Sequence, residues 1–238
     1  MAGHSKWANI KHKKAKEDAV RGKTFTKLSK EITVCAKEAG GDPSGNPRLR
    51  TLLEKARAVN MPQDNIKRAI QKGTGELPGL SYEQHMYEGH GPHGMAVLVE
   101  VLTDNKNRAI AELRHAFTRQ GGSVAANGSV SWMFAQKGVV KGTHESATED
   151  SLLEALLETE VEAISQDENH FIITGSAKGL AELKEAALKA GMKVEHAEIE
   201  WIAKDPLSLS DEAMEQAAHF LDALDELDDI QNIYSNIG

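Results

Sequence analysis

The chain contains one cysteine, Cys35, among 238 residues. A lone thiol closes no intramolecular disulfide, which excludes a disulfide scaffold and fits a reducing compartment. Cys35 falls on the apolar stripe of a predicted helix, so it reads as a buried thiol and not as a nucleophile. Aromatic residues make up 5% and prolines number 6, within a composition that is 40% hydrophobic and 27% charged. Those levels exclude collagen-like and wholly disordered chains. No run of 18 apolar residues occurs, so no transmembrane helix is expected. Met1-Ala-Gly-His-Ser-Lys-Trp7 has no apolar stretch of the kind a secretory leader needs, and a cytoplasmic location is expected. Positive charge is also short: 28 Lys and Arg stand against 36 Asp and Glu, a net −8. As a total, this argues against a polyanion as partner.

The total conceals a segregation. Residues 1–75 hold 17 basic and 7 acidic residues, a balance of +10, and the remainder holds 11 basic and 29 acidic, a balance of −18. Asymmetry of this kind points to an anionic partner for the basic part. The sign changes at Gly73-Thr-Gly-Glu-Leu-Pro-Gly79, a Gly/Pro-rich linker and the clearest domain boundary in the chain.

Before the linker, residues 1–22 form a polar basic arm without sustained apolar period. Three helical patterns follow. Phe25, Leu28, Ile32, Cys35 or Ala36, and Ala39 mark the first, closed by Gly40-Gly41. Asn46-Pro47 reads as an N-cap with proline at the first helical position. It opens a second helix with Leu49, Leu52, Leu53, Ala56 and Val59 on one face. Pro62 begins a third through Ile66, Ala69 and Ile70.

Beyond the linker the period changes. Strands are predicted at Tyr82–Glu88 and Met95–Thr103, then a helix capped by Asp104 or Asn105 and ending near Gly121-Gly122. Asn127-Gly128 between short β-like stretches is a hairpin signal. Strands at Val130–Val140, Val161–Ser165, Phe171–Thr174 and Val194–Ile202 alternate with helices at 149–158 and 177–190, the latter capped by Ser176. This is the β-α-β-β-α-β order of a ferredoxin-like unit. Ser210 caps an acidic helix, and Asp229–Ile237 is strand-like. The fold class is therefore α+β: a three-helix domain, residues 1–76, followed by two ferredoxin-like α/β domains. The middle one is discontinuous, 80–130 plus 206–238, with 131–205 inserted into it.

Catalytic and cofactor motifs fail on context. Gly89-His-Gly91-Pro-His-Gly94 satisfies G-x-G-x-x-G but lies between two strands, where a dinucleotide site needs a strand feeding a helix. Gly22-Lys23-Thr24 has Glu17 where a P-loop needs glycine, and no apolar strand precedes it. His85, His90 and His93 lack any companion Cys pair or helical spacing and read as surface or loop histidines. No G-x-S-x-G occurs. Neither a catalytic residue, a metal nor a cofactor is expected. The acidic cluster Asp222, Asp225, Glu226, Asp228 and Asp229 reads as a solvated face, or else as a surface that docks on the basic domain when no ligand is bound.

The basic cluster is the strongest signal. At 100° per residue, Lys23, Lys27, Lys30 and Lys37 lie within about 80° of one another, on a stripe distinct from Phe25, Leu28 and Ile32. The arm adds Lys6, Lys11, His12, Lys13, Lys14, Lys16 and Arg21, with Trp7 able to stack on an unpaired base. The later helices add Arg48, Arg50, Lys55, Arg57, Lys67, Arg68 and Lys72. Each phosphate neutralised by such a surface releases condensed counterions, so nucleic acid is the expected partner. The arm has no apolar face to insert into a membrane. The long connection Gly40–Gly45 does not suit a helix-turn-helix.

Several segments carry a resemblance. Ala2-Gly-His-Ser-Lys-Trp-Ala-Asn-Ile-Lys-His-Lys-Lys14, Asn60-Met-Pro62 and Lys72-Gly-Thr-Gly75 closely resemble the YebC/PmpR family. So do Tyr87-Glu-Gly89, Thr103-Asp-Asn105 with Asn107-Arg108, Gly128-Ser129-Val130 with Trp132 and Phe134, and Asp229-Ile-Gln-Asn-Ile-Tyr234. The resemblance spans essentially the whole chain. It implies a cytoplasmic, non-enzymatic protein of three domains, one discontinuous. It further implies a probable DNA-binding transcriptional regulator or, as the alternative, a translation factor associated with the ribosome and its RNA. No oligomer is required by either.

Overall fold

The computed structural model describes residues 17–238, with side chains from Gly22 onward. Three helices come first: α1 (Glu17–Ala39), α2 (Pro47–Ala58) and α3 (Gln63–Thr74). The apolar stripes read from the sequence meet in one core of Leu28, Ile32, Cys35, Leu49, Leu52, Ala56, Met61, Ile66 and Ala69. Both shorter helices pack on α1. α3 approaches closely because Gly73 has no side chain, and a Cβ there would lie 2.4 Å from the Thr33 carbonyl oxygen. Asn46 starts α2 as expected. Its Oδ1 accepts from the Leu49 N–H at 3.0 Å and its Nδ2 donates to the Gly40 carbonyl at 2.9 Å. The loop and the helix end are thereby satisfied by one buried side chain.

The first sheet contains β1 (Glu83–His90), β2 (Ala96–Thr103), β3 (Ser123–Ala125) and β8 (Ile230–Ser235), all antiparallel, in the order β3-β1-β2-β8. α4 (Lys106–Arg119) and α7 (Asp211–Asp225) cover one face. Asn105 caps α4 and Ser210 caps α7 through their side-chain oxygens. Phe117 and Phe220 meet edge to face beneath the helices, with ring centroids 5.0 Å apart. β2 is buried on both faces, which explains its unbroken apolar run.

The second sheet contains β4 (Phe134–Thr143), β5 (Val161–Asp167), β6 (His170–Ser176) and β7 (Lys193–Ala203), in the antiparallel order β5-β6-β4-β7. With α5 (Glu149–Ala155) and α6 (Leu180–Lys189) on one face, this is the ferredoxin arrangement. The first sheet forms the same two layers with a different strand order, because β1 and β2 form a central hairpin. The sheets join through a core of Ala96, Leu98, Val130, Phe134 and Tyr234, with Met133 and Trp201 packed against it.

Four local expectations are corrected. Asn127-Gly128 is not a hairpin tip, since β3 pairs with β1 and the chain then turns through a 3-10 segment, Ser131–Met133, before β4 begins at Phe134. Tertiary hydrogen bonds to Glu88 hold that turn and override the hairpin signal. Ser176 ends β6 instead of capping a helix. Its hydroxyl accepts from the Lys178 N–H, and α6 starts after Gly179. The helix predicted at 149–158 stops at Ala155. Lastly, α2 and α3 are joined by only four residues, Val59–Pro62, with Asn60 in the left-handed region at φ 57°. A connection of helix-turn-helix length is therefore present, between α2 and α3 and not at Gly40–Gly45.

Candidate nucleic-acid interface

The structure divides the sequence-predicted cations into three groups. Lys6, Trp7, Lys11, His12, Lys13, Lys14 and Lys16, and the side chain of Arg21, lie outside the described residues. Lys23, Lys27 and Lys30, on one face of α1, point into the protein. Lys27 Nζ lies 2.9 Å from Asp225 Oδ1, and Lys23 Nζ is 3.8 Å from Asp225 Oδ2. Lys30 is buried, with Nζ 2.6 Å from Asp229 Oδ1 and 2.8 Å from the Asp228 carbonyl. The reading of Asp225 and Asp229 as a solvated face is thus overturned, and α1 docks on the acidic end of α7 as the alternative reading had it.

Asp229 is the centre of this joint. Besides Lys30, it accepts the Thr103 hydroxyl at 2.8 Å and Arg108 Nη2 at 2.9 Å. Burial works against its charge, but these three donors overcome that and hold the carboxyl below the usual aspartate range. Thr103, Arg108 and Asp229 belong to motifs far apart in sequence, and one buried carboxylate brings them together. A second tether joins α2 to β7 through the ion pair of Lys55 with Glu198, and Lys184 of α6 faces Glu54 at 3.8 Å. Between these elements lies a cleft of about 440 Å³, lined by Thr24, Thr51, Lys55, His196, Glu198 and Asn232 among others. The cleft carries both signs, and Lys55 is already paired, so the cleft is a poor anion site.

The third group faces outward. Arg48, Arg50, Arg57, Lys67, Arg68 and Lys72 are all exposed. Arg48 pairs with Glu38 at 3.1 Å in an exposed contact, which is worth little. Arg50 donates to the Pro43 and Ser44 carbonyls. Lys67 and Arg68 are adjacent and Lys72 follows Arg68 by four residues, all exposed and away from the buried Ile66 and Ala69, so α3 has one core face and one cationic face. Lys37 is exposed at the end of α1 and donates to the Ser81 hydroxyl at 2.7 Å.

Sequence reasoning overlooked a further structured element. The buried Glu88 carboxylate of β1 accepts the N–H groups of Gly128, Val130 and Ser131 at 2.6, 2.7 and 2.9 Å. Burial opposes the charge, and the three donors prevail and keep the carboxyl below its ordinary range. The loop wrapped on Glu88 carries Trp132, which is 66% exposed. The quoted Tyr87-Glu-Gly89 and Gly128-Ser129-Val130 motifs were the available signal, but their mutual contact is not visible in sequence. His85 and His90 sit five residues apart on β1, on opposite faces about 17 Å apart along the strand. His93 instead faces Gln216 on α7, with Nε2 and Oε1 2.8 Å apart. In the Gly-rich stretch Gly89–Gly94, Gly89 and His90 end β1 and Gly91–Gly94 lead on toward β2, and Gly89 makes room for the Phe117 ring.

A cationic helical module joined by one buried and several partly exposed ion pairs to two antiparallel α+β units defines the class: a three-part α+β protein. Its kinship is specific. The TACO1/YebC protein N-terminal domain matches residues 5–76, and the TACO1/YebC second and third domain matches residues 82–237. The chain belongs to the TACO1/YebC family. A relative from Desulfosudis oleivorans is 48% identical over 236 residues, spanning 99% of this chain and 96% of its own. One from Caldanaerobacter subterraneus subsp. tengcongensis is 49% identical over 238 residues, spanning 100% and 98%. Both are named probable transcriptional regulatory proteins. The crystal structure of a conserved hypothetical protein from Aquifex aeolicus is similar with a TM-score of 0.86 and 43% identity, over 96% of this chain and 95% of that one. Among the described residues, no helix is long and apolar enough to cross a membrane.

Proposed function

We propose that this chain is a cytoplasmic, non-enzymatic regulator that binds DNA through the outward cations of its helical module. The observation that carries the reading is the exposed cationic face of α3, Lys67, Arg68 and Lys72, on a module of +10 attached to a scaffold of −18. Arg48, Arg50 and Arg57 of α2 extend that surface, and the basic arm from Lys6 to Arg21 supplies further phosphate contacts. Such contacts position a protein on a duplex without specifying its sequence. The acidic scaffold repels polyanions elsewhere and directs them to the module. The names of the relatives favour DNA and transcription as the setting.

The test is fluorescence anisotropy with a labelled 20-base-pair DNA duplex over a salt series. The double variant Lys67→Glu/Arg68→Glu is expected to bind more weakly to every sequence, and to reduce the slope of log K against log salt by about 2. Unchanged affinity and slope would remove α3 from the interface. A wild-type protein that does not bind the duplex at any salt concentration would overturn the reading.

A further inference from the structure

Trp132 is a large apolar side chain left mostly in solvent, and hydrogen bonds fix the loop that carries it. Its Nε1 donates to the Ser129 carbonyl at 3.0 Å, so the one polar atom of the ring is satisfied inside its own loop. The loop is fixed by the three N–H bonds to Glu88, and Met133 N–H donates to the Val130 carbonyl at 2.9 Å. From the end of β7, Lys204 Nζ reaches the Trp132 carbonyl at 2.7 Å, and the Lys204 N–H donates to the Met133 carbonyl at 2.9 Å. The result is a preorganised indole in solvent with an exposed ammonium beside its backbone.

The surrounding sequence has an unusual charge balance. From Leu113 to His144 there are four Lys and Arg and no Asp or Glu, inside a scaffold that is otherwise strongly acidic. Lys137 pairs with Glu162 and Lys141 with Glu200, which leaves Arg114 and Arg119 exposed on α4. Glu88 is buried against three backbone donors of the same loop. The segment that carries the ring supplies no carboxylate of its own, and the Lys204 ammonium reaches its backbone, so the exposed indole suits a ligand that brings a flat π-face together with negative charge.

We propose that Trp132 is a second nucleic-acid contact, a platform on which one unpaired base stacks while Lys204 meets an adjoining phosphate. The proposal rests on the nucleic-acid reading of the helical module, and it adds a preference that the module lacks. Phosphate contacts accept any strand, whereas stacking needs a base free of its pair. The full chain would therefore favour DNA or RNA with a single-stranded segment over an unbroken duplex.

The experiment is anisotropy on the full chain with a labelled 16-nucleotide single strand, as DNA and as RNA, and with the corresponding duplex. Trp132→Ala is expected to weaken single-strand binding about tenfold, leave duplex binding unchanged, and preserve the salt slope, because stacking releases no counterions. Trp132→Phe is expected to restore most of the affinity. The thermal midpoint of both variants is expected to match the parent, since the ring is largely in solvent. If Lys67→Glu/Arg68→Glu weakens binding but Trp132→Ala alters nothing, the platform is refuted and the module reading stands. Equal weakening on single strand and duplex also refutes stacking. A photo-crosslinking residue at position 132 that captures protein and not the bound strand would place a protein there and overturn the proposal. If the wild type binds no strand at all, both readings fall.

Discussion

A few side chains hold the domains together. Lys30 and Asp229 are both nearly buried, so removing one partner strands the charge of the other. Lys30→Met is expected to lower folding stability by about 3 kcal/mol, read by urea denaturation. Asp229 retains Thr103 and Arg108, which keeps the loss from being larger. Asn46→Ala removes an N-cap and also the donor to the Gly40 carbonyl; a loss of about 2 kcal/mol is expected by the same measurement. Glu88 adds a pH signature. Its folded carboxyl titrates below the unfolded value of about 4.3. Its stabilising contribution is therefore complete above that value and is lost as pH falls through the folded one. Glu200, held at about 2 by His196 and Lys141 despite its burial, acts in the same direction. Wild-type stability is expected to fall between about pH 5 and pH 2, and Glu88→Gln to flatten that fall; an unchanged profile would remove Glu88 from the account.

At the scale of elements, α1 shows how far a helical wheel can be read. The wheel separates Phe25, Leu28 and Ile32 from Lys23, Lys27 and Lys30, and the structure keeps that separation. A wheel cannot tell what each face meets. The lysine face meets Asp225 and Asp229, about two hundred residues along the chain, and so is not open to solvent. Asp225→Asn is expected to free Lys23 and Lys27, raise duplex affinity, and steepen the salt slope by up to about 2. Unchanged binding would show that α1 stays docked when the module engages nucleic acid. The caps Asn46, Asn105 and Ser210 were legible because a cap is local chemistry. The Asn127-Gly128 turn was misread because its hydrogen bonds go to Glu88, forty residues away, and not to a partner strand.

At the scale of the whole molecule, the segregation of charge was the most informative property of the sequence. A net −8 describes no single part of the protein. The basic module and the acidic scaffold attract one another, and the Lys27–Asp225 and Lys55–Glu198 pairs are contacts in which that attraction is realised. High salt is expected to loosen the partly exposed Lys55–Glu198 pair more than the buried Lys30–Asp229 pair. Hydrogen exchange at 0.1 and 1 M salt should then show faster exchange in α2 but not at the Asp229 joint.

The sequence by itself determined the inventory of helices and strands, the caps, the apolar faces and the division of charge. These are set by periodicity and local hydrogen bonding, and neighbours along the chain are enough to read them. The tertiary structure decided the strand order of the first sheet, which lysines remain outward, and why Trp132 stands exposed on a fixed loop. Those outcomes depend on contacts between residues far apart in the chain. There, burial makes a single carboxylate such as Asp229 or Glu88 strong enough to organise three donors, and the spacing of residues along the chain carries no record of it.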